Sequence, residues 1–230
     1  MSSFRELKKV VYECNVELYE SGLAFHTFGN VSGIDREAGV IAIKPSGVPY
    51  KELAPEDIVL VDLDNEPFES GLKPSSDTPT HTSLYRAFPN IGGVAHTHST
   101  FATAWAQALR PIPCLGTTHA DYLPESVPCT EPMTDEQVRG EYEAETGRQI
   151  IKAFEGLSHS DVPMVLVASH GPFTWGRSPR EAVHHSAALE VLSRMALFSI
   201  LLNPQTGDLL PSLIDRHYNR KHGEDASYGQ

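Results

Sequence analysis

The residues best suited to chemistry are two histidines separated by a single residue. His96 and His98 close an apolar run that starts at Ile91. On a strand, side chains two apart share a face, so both imidazoles could meet one cation. Neutral imidazole suits zinc and its neighbours. His170 closes a second apolar run, Met164 to Ser169, and Gly171-Pro172 stops that run behind it. Asp77 stands just ahead of a helix start in Pro74-Ser75-Ser76-Asp77-Thr78-Pro79. Three imidazoles and one carboxylate make a sufficient ligand set for Zn²⁺. Taken singly, each has an ordinary alternative: His96 and His98 as core or surface histidines, His170 as a turn residue, Asp77 as a helix cap.

A second group suits an anion. Asn30 lies in Phe28-Gly29-Asn30-Val31-Ser32-Gly33, and Lys44 in Ile43-Lys44-Pro45-Ser46-Gly47. Gly29 and Gly47 let backbone come close to a ligand. Ser75 and Ser76 precede a helix N-terminus, where N–H groups and the helix dipole favour anions. Lys44 would supply a local positive charge. The same residue types also dominate ordinary turns. Neither a Walker A nor a G-x-G-x-x-G pattern is present, so no nucleotide site is indicated. Thr117-Thr118-His119-Ala120-Asp121-Tyr122 puts an imidazole and a carboxylate in one loop, and Tyr228 adds a phenol in a polar tail. These are groups that can move protons, although a disordered tail is the alternative for Tyr228.

The elements that must position these groups follow from periodicity. Residues 3–22 read as an amphipathic helix on Phe4, Leu7, Val10, Val11, Cys14 and Leu18, with Ser3 and Glu6 as a capping box and Gly22 as a stop. Val40–Ile43 and Ile58–Asp62 read as strands. Thr78 is expected to cap a helix with Pro79 at its first position, running to about Phe88. Gly92–His98 reads as a buried strand and Phe101–Leu109 as a short helix. Thr146–Glu155 reads as a helix, and Met164–Ser169 and Phe173–Trp175 as strands. Ser178-Pro179-Arg180-Glu181 opens a helix reaching about Leu202, and Asp215–Gln230 is a polar tail. One α/β domain follows, with helices covering a central antiparallel or mixed sheet.

Composition narrows the function. The 230 residues are 40% apolar and 21% charged, as in an ordinary soluble globular chain. A net charge of −12 disfavours nucleic acid, whose binding rests on cations neutralising phosphates. It leaves room for a small anion at a locally positive site, because screening hides distant charge. The three cysteines, Cys14, Cys114 and Cys129, form no CxxC pattern and read as small hydrophobes. The apolar runs fall short of the ~20 residues that span a bilayer, and Met1–Glu6 lacks a leader core. A cytoplasmic protein without membrane attachment is expected.

Together, Gly29–Ser32, Lys44–Gly47, Ser75–His81, His96–His98, Gly116–Asp121, Ser169–Phe173 and Tyr228–Gln230 resemble the class II sugar-phosphate aldolase/epimerase (adducin-head) family, in order and along the whole chain. The resemblance implies a single domain with a mainly antiparallel sheet flanked by helices. It implies a homotetramer with fourfold symmetry and active sites between subunits. It implies metal ligation by His96, His98 and His170 beside Asp77, with Zn²⁺, Mn²⁺ or Co²⁺ as the ion. A phosphorylated pentulose would be held by Gly29, Asn30, Lys44, Ser46, Gly47, Ser75 and Ser76. Asp121 and Tyr228 would act as acid and base, with Thr117, Glu143 and His217 in accessory places and the 215–230 tail reaching an active site. The implied reaction is C4 epimerisation between L-ribulose 5-phosphate and D-xylulose 5-phosphate by C3–C4 retro-aldol cleavage and re-addition, in pentose catabolism such as the arabinose route. Family members that are aldolases resemble Glu at position 77, whereas this chain has Asp as in the epimerases. An adducin-like interaction module would lack the metal histidines, and an HxH hydrolase barrel would place that motif earlier.

Overall fold

In a computed structural model, residues 2–68, 71–223 and 226 are described. The side chain of Ser3, expected as a cap, and all of Tyr228 lie outside what is described. Six strands form one sheet: β1 (Asn30–Asp35), β2 (Val40–Ile43), β3 (Val59–Asp62), β4 (Gly93–His96), β5 (Met164–Leu166) and β6 (Pro172–Gly176). Their order is β3-β2-β1-β4-β6-β5 and each neighbouring pair is antiparallel, as expected. Helices cover both faces. The strands are therefore buried nearly throughout, polar residues included, unlike a sheet with one wet face.

Alternation along the strands sorts the two layers. Ile41, Val61 and Val94 pack with Leu84, Tyr85, Trp105 and Ile150, from helices α2 (Thr78–Ala87), α3 (Thr100–Gln107) and α6 (Tyr142–Ala153). On the other face, Val31 and Ala95 meet Cys14 and Leu18 of α1 (Ser2–Glu20) and Ala182 and Val183 of α7 (Pro179–Leu202). Val40 and Ala42 join Val11 there. A row of glycines across three strands lets α7 start directly on the sheet: Gly33 pairs with Gly93, and Gly93 with Gly176. A methyl group on Gly93 would stand 2.4 Å from Pro179 Cα. The Ser178 hydroxyl caps α7 by accepting from Glu181 N–H, while the Glu181 carboxylate accepts from Arg177 N–H at 2.5 Å instead of closing a reciprocal box. By length and composition α7 could cross a membrane. Its buried residues Ala182, Val183, Ser186, Leu189, Ser193 and Ala196 instead follow helical spacing on the sheet side.

Several boundaries differ from the sequence expectation. Phe28–Gly33 has the residue types of an ordinary turn, yet Asn30–Asp35 is a central strand: Asn15 of α1 reads the Val31 backbone on both sides, Nδ2 donating to its carbonyl and Oδ1 accepting from its N–H. The strand expected over Gly92–His98 stops at His96, and that from Met164 stops at Leu166. The helix expected from Thr146 begins at Tyr142. Three helices were not expected: α4 (Thr117–Ala120), α5 (Asp135–Arg139) and α8 (Pro211–His222), the last occupying much of the supposed polar tail.

Candidate metal centre and active site

The three histidines converge. His96 ends β4 on the α2 side of the sheet, its ring stacked on Phe173 of β6 at 4.2 Å and 19°. His98 lies beyond the strand, so the shared-face argument does not explain its position. The turn into α3 does. The Glu190 carboxylate of α7 accepts from Phe101 and Ala102 N–H and anchors that helix start, and Phe28 packs edge-on against the His98 ring. His170 is both a turn residue and a member of the cluster. Ser169 takes φ 61°, and His170 N–H donates to Val167 C=O. Gly171 lies so close to Thr97 C=O that a Cβ would come within 2.7 Å. The ring centroids are 4.9 Å apart for His96–His98 and His96–His170, and 5.1 Å for His98–His170.

This arrangement fits a divalent ion. One nitrogen from each ring lies within 4.8 Å of the others. His96 Nε2 and His98 Nε2 are 3.2 Å apart. Two nitrogens at the usual Zn–N distance and a tetrahedral angle stand about 3.3 Å apart. The tautomer also suits. The Pro172 carbonyl can only accept, so His96 donates through Nδ1 at 2.9 Å and keeps the Nε2 lone pair for the cluster. Burial pushes all three imidazoles below their ordinary pKa, His170 to about 4, so they are neutral ligands at physiological pH.

Asp77 occupies the N-cap position of α2, where the sequence pointed to Thr78, but its side chain makes no capping bond. Asp77 Oδ2 accepts from Asn30 Nδ2 at 2.6 Å instead. Burial opposes its charge, but the imidazoles of His96 and His81 and the Asn30 amide hold it below the ordinary carboxylate range. The candidate anion residues are tied together at the same place. Asn30 Nδ2 also donates to Ser75 Oγ, Ser75 N–H to Lys44 C=O, and Ser46 N–H to Lys73 C=O. Gly29 and Gly47 take φ of 83° and 73°. With both donors of its amide engaged, Asn30 leaves a buried Oδ1 without a partner. Lys44 is 1% exposed; its ammonium donates to Val48 C=O at 2.8 Å and lies 4.7 Å over the Tyr50 ring. Desolvation lowers its pKa to about 8.

Asp121 is placed differently. It follows α4, whose first residue Thr117 accepts from its N–H. Among the described residues its side-chain partners all lie on α8. Oδ1 accepts from His217 Nδ1 at 3.0 Å, both oxygens accept from Arg220, and Lys221 stands 3.9 Å away. Burial is the largest single influence and raises its pKa, but His217, Arg220 and Lys221 together outweigh it and hold it low. Glu143 lies in the first turn of α6, its carbonyl accepting from Thr80 Oγ1 at 2.6 Å. Sequence reading missed three participants: Tyr142, whose hydroxyl reaches His170; Tyr50, whose hydroxyl donates to Gly29 C=O; and Arg220. None belongs to a recognisable local motif.

Residues 9–197 match the family described as Class II Aldolase and Adducin N-terminal domain. The chain belongs to this family. As a class II aldolase-family chain it is 46% identical over 226 residues to the L-ribulose-5-phosphate 4-epimerase UlaF of Salmonella paratyphi C (strain RKS4594), covering 98% of this chain and 99% of that protein. The UlaF protein of Salmonella choleraesuis (strain SC-B67) matches to the same extent. Among solved structures it resembles an L-fuculose 1-phosphate aldolase, with TM-score 0.79 and 24% identity over 94% of this chain and 95% of that one. The L-fuculose 1-phosphate aldolase of Glaciozyma antarctica PI12 follows at TM-score 0.76 and 16% identity, over 96% of this chain and 84% of that one. These likenesses establish the class II aldolase fold expected from the sequence.

Proposed function

We propose that this class II aldolase-family chain is a divalent-metal-dependent L-ribulose-5-phosphate 4-epimerase. The observation that carries the reading is one convergence. Three neutral imidazoles meet beside an ionised Asp77, and Asn30 links that carboxylate to loops suited to a phosphate. The relatives at 46% identity bear this activity in their names. An ion held by His96, His98 and His170 beside Asp77 supplies Lewis-acid stabilisation of developing oxyanion charge. Zinc, manganese and cobalt(II) all suit the donor set.

The chain's own groups divide the remaining work. The C4 hydroxyl of the pentulose gives up its proton as the C3–C4 bond breaks, leaving a dihydroxyacetone enediolate and glycolaldehyde phosphate. The aldehyde turns, C3 adds to its other face, and the new C4 alkoxide takes a proton. Inversion therefore calls for acid/base groups on two faces, the roles of Asp121 and Tyr228. Gly29, Asn30, Lys44, Ser46, Gly47, Ser75 and Ser76 hold the phosphate so that the fragment rotates without escaping. His217 keeps Asp121 oriented, and Thr117 and Glu143 line the same space.

The sites lie between subunits of a fourfold tetramer, with the 215–230 segment contributing Tyr228. An exposed apolar stripe on α7, Val191, Met195, Phe198 and Leu202, supports subunit contact. The enzyme works in the cytoplasm, without nucleic-acid or membrane partners. The deciding experiment follows both L-ribulose 5-phosphate conversion to D-xylulose 5-phosphate and L-fuculose 1-phosphate cleavage on metal-loaded protein. Fast conversion with trace cleavage is expected; efficient cleavage without conversion makes the chain an aldolase on the same site.

A further inference from the structure

Tyr142 opens α6, and its hydroxyl stands 3.1 Å from His170 Nδ1. The two rings are 6.0 Å apart and tilted by 32°. Among the described residues this is the one side-chain hydrogen bond that reaches the His170 ring. His170 sits in a turn, so strand geometry does not fix its ring as it does for His96.

The place of Tyr142 is itself built. At Gly147, α6 lies so close to α2 that a Cβ there would stand 2.6 Å from Ser83 Cβ. One turn earlier, Thr80 Oγ1 donates to Glu143 C=O at 2.6 Å. These contacts fasten the first turn of α6 to the helix that Asp77 opens.

Proton accounting gives the contact its meaning. A neutral imidazole carries one proton, and only the bare nitrogen can bind a cation. His96 spends its proton on the Pro172 carbonyl, leaving Nε2 bare. A phenol oxygen can likewise accept from an N–H while keeping its own proton. Resting on the reading that the three histidines hold a divalent ion, we propose that Tyr142 is a positioning residue. It accepts from His170 Nδ1–H, fixes the tautomer and rotation of that ring, and turns Nε2 toward His96 and His98.

Tyr142→Phe keeps the ring and deletes the acceptor. Zinc affinity of the full-length protein is read by competition with a chromogenic chelator, and the ligand field by the visible spectrum of the cobalt(II)-loaded form. Y142F is expected to bind zinc about 10–100-fold more weakly and to shift the cobalt bands, because outer hydrogen-bond partners tune metal ligands by that much. Wild-type affinity together with a wild-type spectrum overturns the inference. Should Y142F fail to fold, Thr80→Val carries the test: it loosens the α6 start without touching the hydroxyl. Weaker zinc binding supports the role and unchanged binding overturns it. Both readouts need no substrate. A wild-type protein that binds zinc but epimerises nothing would sink the epimerase reading, while a loss of affinity in Y142F would still support the role of Tyr142.

Discussion

Replacing Lys44 with Met keeps most of a buried stem and deletes a buried charge. Lys44 has an ordinary pKa of 10.5 that burial lowers to about 8. At ~1.4 kcal/mol per pH unit, that gap is about 3 kcal/mol against the buried ammonium. The substitution also removes the bond to Val48 C=O, which offsets about 1 kcal/mol. K44M should therefore be more stable than the wild type at pH 7 by about 2 kcal/mol, or about 4–8 °C in Tm for a chain of this size. Between about pH 8 and 10.5 the unfolded chain keeps a proton that the folded chain has lost. Wild-type stability therefore rises with pH across that window, and the K44M advantage shrinks to nothing at its upper end. Function moves the other way. Losing a charge-assisted contact worth ~1.5–3 kcal/mol raises KM for the phosphorylated ketose about 10–150-fold. In the wild type, KM should climb about tenfold per pH unit above pH 8, since only the ammonium attracts phosphate; in K44M that climb disappears. Thermal melts at pH 7 and 10 and KM from pH 7 to 9.5 check both halves. A K44M protein melting no higher than wild type at pH 7 refutes the burial argument. A flat wild-type KM profile refutes the ammonium–phosphate contact.

His96→Asn should strip the metal and abolish turnover, read by metal analysis and rate together; retained metal with retained rate would dissolve the assigned centre. Tyr228→Phe should leave metal content intact and cut turnover by ~10²–10⁴ if the phenol moves a proton, whereas a wild-type rate removes Tyr228 from the mechanism. Asp77→Glu adds one CH₂ of reach toward the substrate, so epimerisation should fall and cleavage of L-fuculose 1-phosphate rise; unchanged epimerase kinetics would count against position 77 as the discriminator. Gly93→Ala forces a methyl group into Pro179 and should lower stability by at least ~1–3 kcal/mol in a denaturant melt. Wild-type stability would show that α7 can lift off the glycine row without cost.

The three clustered histidines stood out in the sequence because each stands at the end of an apolar run, and such runs survive as strands or as the turns behind them. What the pattern could not carry was direction. The i, i+2 argument places His96 correctly, but His98 reaches the cluster through the turn into α3, fixed by Glu190 some ninety residues away in the chain. Asp77 reads as a cap because caps are local, and its side chain abandons that role for Asn30, a partner distant in sequence. The strand β1 was hidden because Gly, Asn and Ser usually make turns; it is a strand because helices bury it from both faces. Tyr142 left no local sign at all. Its contact with His170 comes from a partner 28 residues away, where α6 settles closely on α2 at Gly147.

Among the described residues of one chain, no hydrogen bond or ion pair joins the Asp121 side chain to the histidine cluster. Asp77, Asn30, the three histidines and Tyr142 form one connected set. The side chain of Asp121 is held by α8, through His217, Arg220 and Lys221. A carboxylate clamped by two cations stays ionised and is poorly suited to wander. Yet in the proposed reaction C4 inversion would ask for proton transfer close to a carbon held beside the histidine cluster. Both demands are met if Asp121 is presented, already oriented by α8, to the histidine cluster of a second subunit. The clamp then works as a rigid arm for reaching across a boundary, and the apolar stripe on α7 offers a face on which that boundary can form. On this argument the histidine cluster and the α8 clamp on Asp121 each form within one chain, and the proposed assembly would bring them together. Metal affinity should therefore be insensitive to protein concentration, while turnover per chain should fall as the oligomer dissociates.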